Sequence, residues 1–344
     1  MESKALSKKK LKIDESSEKE LKKAHYRVYG HSVVDVCHYT KKSLKGEGVC
    51  YKRKFFGIET HRCMEFSPAG LFCHNRCIYC WRPTNFYKIV KMKKDEVDNP
   101  SDIIENLLKL RNQLLTGFGG NEKVIKKIYE EAKIPSHFAI SLMGEPTLYP
   151  KLAEMIRYIK HLPFTKSIFL VTNGQEPKML EKLEKENALP TQIYLSMNAG
   201  NEETFKKVNY PLKKDFWKRF NKSLDLLSQT KTRSLIRITL IRGLNDSENE
   251  IKDFAELIEK GNPHFVEVKS YMHVGYSKKR LTEKHMLSLE EIKKWGFKLL
   301  SYLPNFKYMD EDLDGRIVIF QNMRRFVDRW ILKPSSSTLF EYGM

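Results

Sequence analysis

The chain has 344 residues, 41% of them hydrophobic, and a formal net charge of +19 from 62 Lys and Arg against 43 Asp and Glu. That is length for one large barrel or two modest domains, with enough apolar residues for a sizeable core. No apolar run reaches the length of a membrane span, the start Met1-Glu2-Ser3-Lys4-Ala5-Leu6-Ser7-Lys8 lacks the apolar stretch of a secretory signal, and all six cysteines lie between Cys37 and Cys80 rather than in a spread disulfide framework. The expectation is therefore a soluble cytoplasmic protein with reduced thiols and no membrane partner.

Residues 1–24 are rich in Lys, Glu and Ser and read as a basic, frayed tail leading into a short helix. Residues 25–66 form a second basic segment, where Cys37, Cys50 and Cys63 are spaced C-x12-C-x12-C and Gly46, Gly48 and Gly57 mark loops. The window 31–94 holds 13 Lys and Arg against 4 Asp and Glu, an excess of +9. A field of that sign around reactive thiols points to a polyanionic substrate, nucleic acid first. The plainer reading is a Lys/Glu-rich surface of the kind heat-adapted proteins carry.

The run Cys73-His74-Asn75-Arg76-Cys77-Ile78-Tyr79-Cys80 is a C-x3-C-x2-C pattern. Three thiolates this close wrap one loop around three irons of a [4Fe–4S] cube. No fourth cysteine follows in the loop, so one iron stays open, as a radical enzyme needs in order to chelate S-adenosylmethionine (SAM). Tyr79, just before the last cysteine, fits as a cofactor-facing aromatic. A zinc knuckle usually takes four protein ligands in C-x2-C pairs, and three buried free cysteines in eight residues are unusual. The upstream triplet reads either as a second cluster with its own open iron or as core thiols.

From Cys63 onward, strand and helix alternate. Strand-like runs are a segment near Arg62–Phe66, then Phe138–Met143, Ser167–Thr172, Gln192–Met197, Leu235–Ile241 and Phe265–Met272. Helix-like stretches lie between them at Ser101–Lys133, Tyr149–His161, Pro177–Lys185, Lys213–Ser228 and Ser247–Glu259. Six β/α units predict an α/β fold with a parallel sheet, an incomplete (βα)6 barrel over 62–287, with 25–66 as an N-terminal extension. The segment 288–344 is a C-terminal extension with a helix, a strand at Arg316–Phe320 and a last helix near Arg324–Leu332. Gly117-Phe118-Gly119-Gly120 lacks the ending of a phosphate loop and follows no strand, so it reads as a helix interruption.

In such a barrel the active site gathers at the C-terminal ends of the strands. Ser141-Leu142-Met143-Gly144-Glu145-Pro146 ends the second strand; Gly144 permits close backbone approach and Glu145 can receive an ammonium. The general radical-SAM pattern has Gly-Gly-Glu here, whereas this chain has Met143-Gly144-Glu145. Asn173 with Gly174 ends the third strand, and Ser196 and Asn198 end the fourth, pointing the same way and placing short polar groups where a SAM carboxylate or ribose lies. Asn173-Gly174 also reads as a plain turn. Arg237 and Thr239 share a face of the fifth strand. Glu267 and Lys269 share one on the sixth and read as a buried ion pair.

At this point a resemblance is specific. Lys41-Lys42-Ser43-Leu44, Gly46 through Lys52, His61-Arg62-Cys63, Cys73 through Trp81, Ser141 through Pro146 and Tyr194-Leu195-Ser196 resemble the tRNA 4-demethylwyosine synthases, the radical-SAM lyases of wybutosine biosynthesis, over roughly residues 25–330. The resemblance implies two [4Fe–4S] clusters, on Cys73/Cys77/Cys80 and on Cys37/Cys50/Cys63, and SAM as cofactor. It implies N1-methylguanosine beside the anticodon of phenylalanine tRNA as substrate, with pyruvate giving two carbons and losing C1. Pyruvate would be bound by the open auxiliary iron or anchored by Lys52, as a Schiff base or a salt bridge. Eukaryotic members carry an added flavodoxin-like domain for which this chain has no room. The shorter archaeal form is therefore expected, with electrons from an external flavodoxin- or ferredoxin-like donor. Another radical-SAM enzyme, acting on a small molecule or peptide, and a non-catalytic metal-bearing RNA-binding protein are the competing classes.

Overall fold

The fold rests on one continuous sheet, in a computed structural model that describes residues 10–88 and 91–333. The first nine residues of the expected tail and residues 334–344 of the expected C-terminal extension lie outside the described residues.

The chain opens with α1 (Glu15–Lys23), capped by the Asp14 carboxylate, which accepts the Ser17 N–H at 2.9 Å. A hairpin of β1 (Arg27–Tyr29) and β2 (Ser32–Asp35) turns at Gly30, whose φ is +57°. Two short helices follow, α2 (His38–Leu44) and α3 (Tyr51–Phe56). The alternating region then runs β3 (Cys63–Ser67), α4 (Pro100–Thr116), α5 (Lys126–Ala132), β4 (His137–Ile140), α6 (Leu152–His161), β5 (Ser167–Thr172), α7 (Pro177–Lys185), β6 (Gln192–Ser196), α8 (Glu202–Asn209), α9 (Phe216–Gln229), β7 (Arg233–Leu240), α10 (Glu248–Gly261) and β8 (Phe265–Ser270). It closes with α11 (Leu289–Leu300), β9 (Phe306–Asp312) and β10 (Ile317–Asn322).

The ten strands order as β1-β2-β3-β4-β5-β6-β7-β8-β10-β9. β3 through β8 are all parallel, and the outer strands add antiparallel. The end strands do not pair, so this is an incomplete TIM-like barrel that stays open. Strand residues alternate between its two faces. Met64, Phe66, Phe138, Ile140, Ile168 and Leu170 face the helical layer. Ala139, Phe169, Tyr194, Leu235 and Phe265 face inward, where Tyr51, Phe55 and Phe56 of α3 plug the lumen. Among the described residues no helix is long and apolar enough to cross a membrane.

The six parallel strands stand within two to three residues of their expected bounds. Three features differ. The expected helix over 101–133 is two helices, parted where α4 ends at Thr116 beside the glycine-rich run. The hairpin β1–β2, α8 and the edge strand β9 are additional. The segment Arg324–Leu332 is not helical: its backbone hydrogen bonds go elsewhere. Ile331 N–H donates to Phe56 O at 2.9 Å, and the Arg325 and Arg329 guanidinia reach Asn262 O at 2.7 Å and Lys54 O at 2.8 Å.

Candidate active site

β3 carries a thiol triplet at each end. Cys63 opens the strand, and the loop beyond Ser67 bears Cys73, Cys77 and Cys80; at about 3.3 Å per residue the strand alone separates its ends by roughly 13 Å. All six cysteines are free thiols.

The upper loop is pinned by backbone. Ile78 N–H donates to Val208 O at 3.0 Å, Arg76 N–H to Asn209 O at 3.0 Å, and Leu212 N–H to His74 O at 2.8 Å, tying the loop to the end of α8. Two arginines complete the clamp. Arg76 donates to Cys73 O at 2.9 Å and Tyr87 O at 2.7 Å. Arg280, far along the chain, donates to Ile78 O at 3.0 Å, to Thr84 Oγ1 at 3.0 Å and to Cys80 O. Cys73 accepts from Asn75 N–H at 3.4 Å and from Asn173 Nδ2 at 3.6 Å. Burial raises the Cys73 thiol, with Cys77 next in effect, and pushes Cys77 up to about 12. Such thiols ionise on binding metal, with their amide donors already in place.

Gly144 and Glu145 lie against the base of this loop. Gly144 has φ +68°, and a Cβ there would meet Ala69 O at 1.9 Å and Phe72 O at 2.7 Å. Its N–H donates to the Tyr87 hydroxyl at 3.1 Å, and Glu145 N–H donates to Phe72 O at 2.8 Å. The Glu145 carboxylate is buried. Oε1 accepts from Thr147 N–H at 3.2 Å, Thr147 Oγ1 at 2.5 Å and Thr172 Oγ1 at 2.7 Å. Among the described residues Oε2 accepts only Asn173 N–H, at 2.8 Å. Desolvation raises its pKa while these donors pull it back. Thus Glu145, Asn173 and Cys73 are brought together.

Tyr79 and Asn198 also meet. Asn198 is 1% exposed; its Nδ2 donates to the Tyr79 hydroxyl at 2.5 Å and its Oδ1 accepts Thr239 N–H at 2.9 Å. Its side chain holds Tyr79 in place. Ser196 ends β6 in register with Arg237.

The lower triplet is assembled by α2, α3 and β3. Cys37 caps α2, accepting Thr40 N–H at 3.4 Å, and Cys50 precedes α3, its N–H donating to Thr60 Oγ1 at 3.1 Å. Cys63 lies in the field of both. Burial pushes the Cys50 thiol up to about 12, and Lys52 is the largest opposing influence. Below them lies Arg111, fully buried on α4, donating to Cys63 O at 3.1 Å and Ala132 O at 2.6 Å, its own pKa lowered to about 10 by burial.

Lys52 projects from α3 into the lumen, Nζ 4.7 Å from the Phe169 ring centroid and 5.4 Å from that of Tyr194. The wall around it is polar. Arg237 bonds Glu267 at 2.7 Å and the Tyr51 hydroxyl at 2.7 Å. Glu267 therefore pairs across strands with its register partner Arg237, not with Lys269 as expected from their shared face: residues two apart on a strand stand further away than neighbours on adjacent strands. Higher up, Arg82 reaches Tyr26 at 2.5 Å and Glu65 at 3.4 Å. Arg237 carries a signal in the sequence, the face it shares with Thr239 on the fifth strand; Arg82, Arg111 and Arg280 reach the site from places that no sequence pattern marks.

The donor sets fit three-cysteine cubes. Each is three thiols within one local field, the upper one with amide donors at sulfur and the lower one beside two cations. Among the described residues no three His, Cys, Asp or Glu side chains are close enough to share a single ion, whereas a cube spreads its thiolates over separate irons.

Comparison with known proteins agrees. The Radical SAM superfamily profile matches residues 68–257, and that for wyosine base formation matches 260–322. The S-adenosyl-L-methionine-dependent tRNA 4-demethylwyosine synthase of Pyrococcus abyssi is 42% identical over 308 residues, 89% of this chain and 88% of its own. That of Methanocaldococcus jannaschii is 39% identical over 320 residues, 92% of this chain and 99% of its own. A solved structure of TYW1 with a lysine-pyruvate adduct bound superposes with a TM-score of 0.81 at 37% identity, over 92% of this chain and 99% of that one. At that identity and coverage, the chain belongs to the tRNA 4-demethylwyosine synthases, radical SAM enzymes of the wybutosine pathway that use SAM and a [4Fe–4S] cluster.

Proposed function

We propose that this enzyme joins N1-methylguanosine, next to the anticodon of phenylalanine tRNA, to two carbons of pyruvate held on Lys52, giving tricyclic 4-demethylwyosine. The observation that carries this reading is the position of Lys52: an amine inside the lumen, 4.7 Å from the Phe169 ring and beside Cys50, in a chain 37% identical to a protein whose structure holds a lysine-pyruvate adduct.

Cys73, Cys77 and Cys80 would hold the cluster, which with SAM would supply one-electron radical chemistry at the N1-methyl group. The protein's residues supply position and exclusion. Glu145 receives the SAM ammonium on the less-occupied Oε2. Asn173, Ser196 and the Gly144 backbone line the same strand ends, and Tyr79 faces the cofactor with Asn198 acting through it. Cys37, Cys50 and Cys63 hold the auxiliary cluster. Lys52 fixes pyruvate so that C2 and C3 enter the new ring and C1 leaves.

We read 62–287 as the catalytic barrel, 25–66 as the auxiliary-cluster and tRNA-facing extension and 288–344 as an extension packed on the barrel. Trp81, 45% exposed with Arg82 stacked at 3.5 Å, offers a platform for a splayed anticodon-loop base. Electrons come from a separate flavodoxin- or ferredoxin-like protein in the cytoplasm.

The test is anaerobic incubation with pyruvate and cyanoborohydride, followed by peptide mapping. The reduced adduct is expected on Lys52 and absent from Lys52→Ala. Modification elsewhere, or none, contradicts the Schiff base.

A further inference from the structure

Two lumenal groups have no part in the reading above. Tyr194 is fully buried, and its hydroxyl has no hydrogen-bond partner among the described residues. An unmet buried hydroxyl is unfavourable unless a ligand satisfies it. Lys269 lies on the inward face of β8 and makes no hydrogen bond or ion pair among the described residues. The carboxylate nearest along its strand, Glu267, is occupied by Arg237 at 2.7 and 3.4 Å.

Tyr194 flanks Lys52, and Lys269 stands on the same inward face of β8 as Glu267, two residues beyond the pair that Glu267 makes with Arg237. The Lys52 Nζ stands 5.4 Å from the Tyr194 ring centroid, and Arg237 Cζ lies 4.5 Å from the same ring. Tyr194 and Lys269 share the influence of Glu267, Arg237 and Cys50, the thiol that Lys52 also acts on. Arg237, Lys269 and the Lys52 amine thus share this region with two carboxylates, Glu267 and Asp312. The local excess is positive, and one cation and one hydroxyl are unengaged beside an amine. A small α-keto acid anion offers what all three lack: a carboxylate, an oxygen and an electrophilic carbon.

We propose that Lys269 and the Tyr194 hydroxyl complete the pyruvate subsite around Lys52, Lys269 pairing with the C1 carboxylate and Tyr194 hydrogen-bonding the C2 oxygen. This rests on the reading of Lys52 as the pyruvate lysine. The neutral Lys52 amine adds through its lone pair to C2, and the C=O π electrons move to oxygen, which takes up one of the amine's protons. That hydroxyl leaves as water with the second amine proton as C=N forms, so no oxidant or reductant enters. Tyr194 steadies the oxygen throughout, and Lys269 selects α-keto acids over neutral ketones.

Anaerobically reconstituted parent enzyme, Lys269→Met, Lys269→Arg and Tyr194→Phe are titrated with pyruvate or hydroxyacetone, and the adduct is trapped by cyanoborohydride and read by intact mass. Loss of a charge-assisted contact should raise half-saturation for pyruvate roughly tenfold to hundredfold in Lys269→Met. It should abolish the preference over hydroxyacetone, while Lys269→Arg recovers most of both. Tyr194→Phe should need several-fold more pyruvate, about as expected for one neutral hydrogen bond. Iron content is measured for each variant. Half-saturation unchanged in Lys269→Met overturns the inference. So does lost iron with unchanged trapping per iron-loaded chain, which would make Lys269 a partner of the cluster. If the parent traps nothing on Lys52, the Lys52 reading falls and this one with it.

Discussion

Glu145 is buried with three donors on Oε1 and one on Oε2, which leaves acceptor capacity for an ammonium. Glu145→Gln keeps the shape and removes the charge. It should weaken SAM binding roughly tenfold to hundredfold, as loss of a charge-assisted hydrogen bond does, while both clusters assemble. Equilibrium dialysis with SAM checks it, and unchanged affinity sinks the assignment. Gly144 acts differently. Alanine there would hold φ at +68° and place a methyl 1.9 Å from Ala69 O, at a cost on the order of 1–3 kcal/mol. Gly144→Ala should lower the denaturation midpoint and release iron from the upper loop; parent-like iron and midpoint would contradict the packing argument. The sequence displayed Glu145, Asn173 and the cysteines because they sit in local patterns at strand ends. It did not display Arg280 or Arg111, because each reaches its thiol loop from an element remote in sequence, and an isolated arginine carries no pattern that says where it folds back to.

At the scale of elements, α3 is the piece that joins the two halves of the site. Its Tyr51, Phe55 and Phe56 fill the lower lumen, while Lys52 reaches the Phe169 and Tyr194 rings and Cys50 stands at the helix start. The triple variant Cys37/Cys50/Cys63→Ala should keep about half the iron, since one of two four-iron cubes remains; full retention would show that the lower thiols hold no cluster. The barrel strands were legible because parallel strands are buried on both faces and read as apolar runs, as in Ser167–Thr172. β9 was not, since Phe306-Lys307-Tyr308-Met309-Asp310-Glu311-Asp312 is an edge strand with mostly polar residues. The expected helix at Arg324–Leu332 failed for a tertiary reason: its amides and arginines bind the carbonyls of α3 and of the β7–β8 region.

At the scale of the molecule, the open barrel places one thiol triplet at the mouth and the other below, with a polar lumen between them and an excess of +9 over residues 31–94 at both. Binding of tRNA should therefore weaken steeply with salt, with a log–log slope of several units if roughly five to eight phosphates are contacted. A flat response, read by filter binding across a salt series, would point to a small-molecule substrate. The central claim is that this lumen builds a tricyclic base from a methylated guanosine and pyruvate. It is tested most directly by anaerobic reaction of the reconstituted enzyme with N1-methylguanosine-containing tRNA, SAM, reductant and pyruvate labelled at one carbon at a time. Label from C2 and C3, and none from C1, is expected in the new base; product formed without pyruvate, or from tRNA lacking the methyl group, would contradict the account.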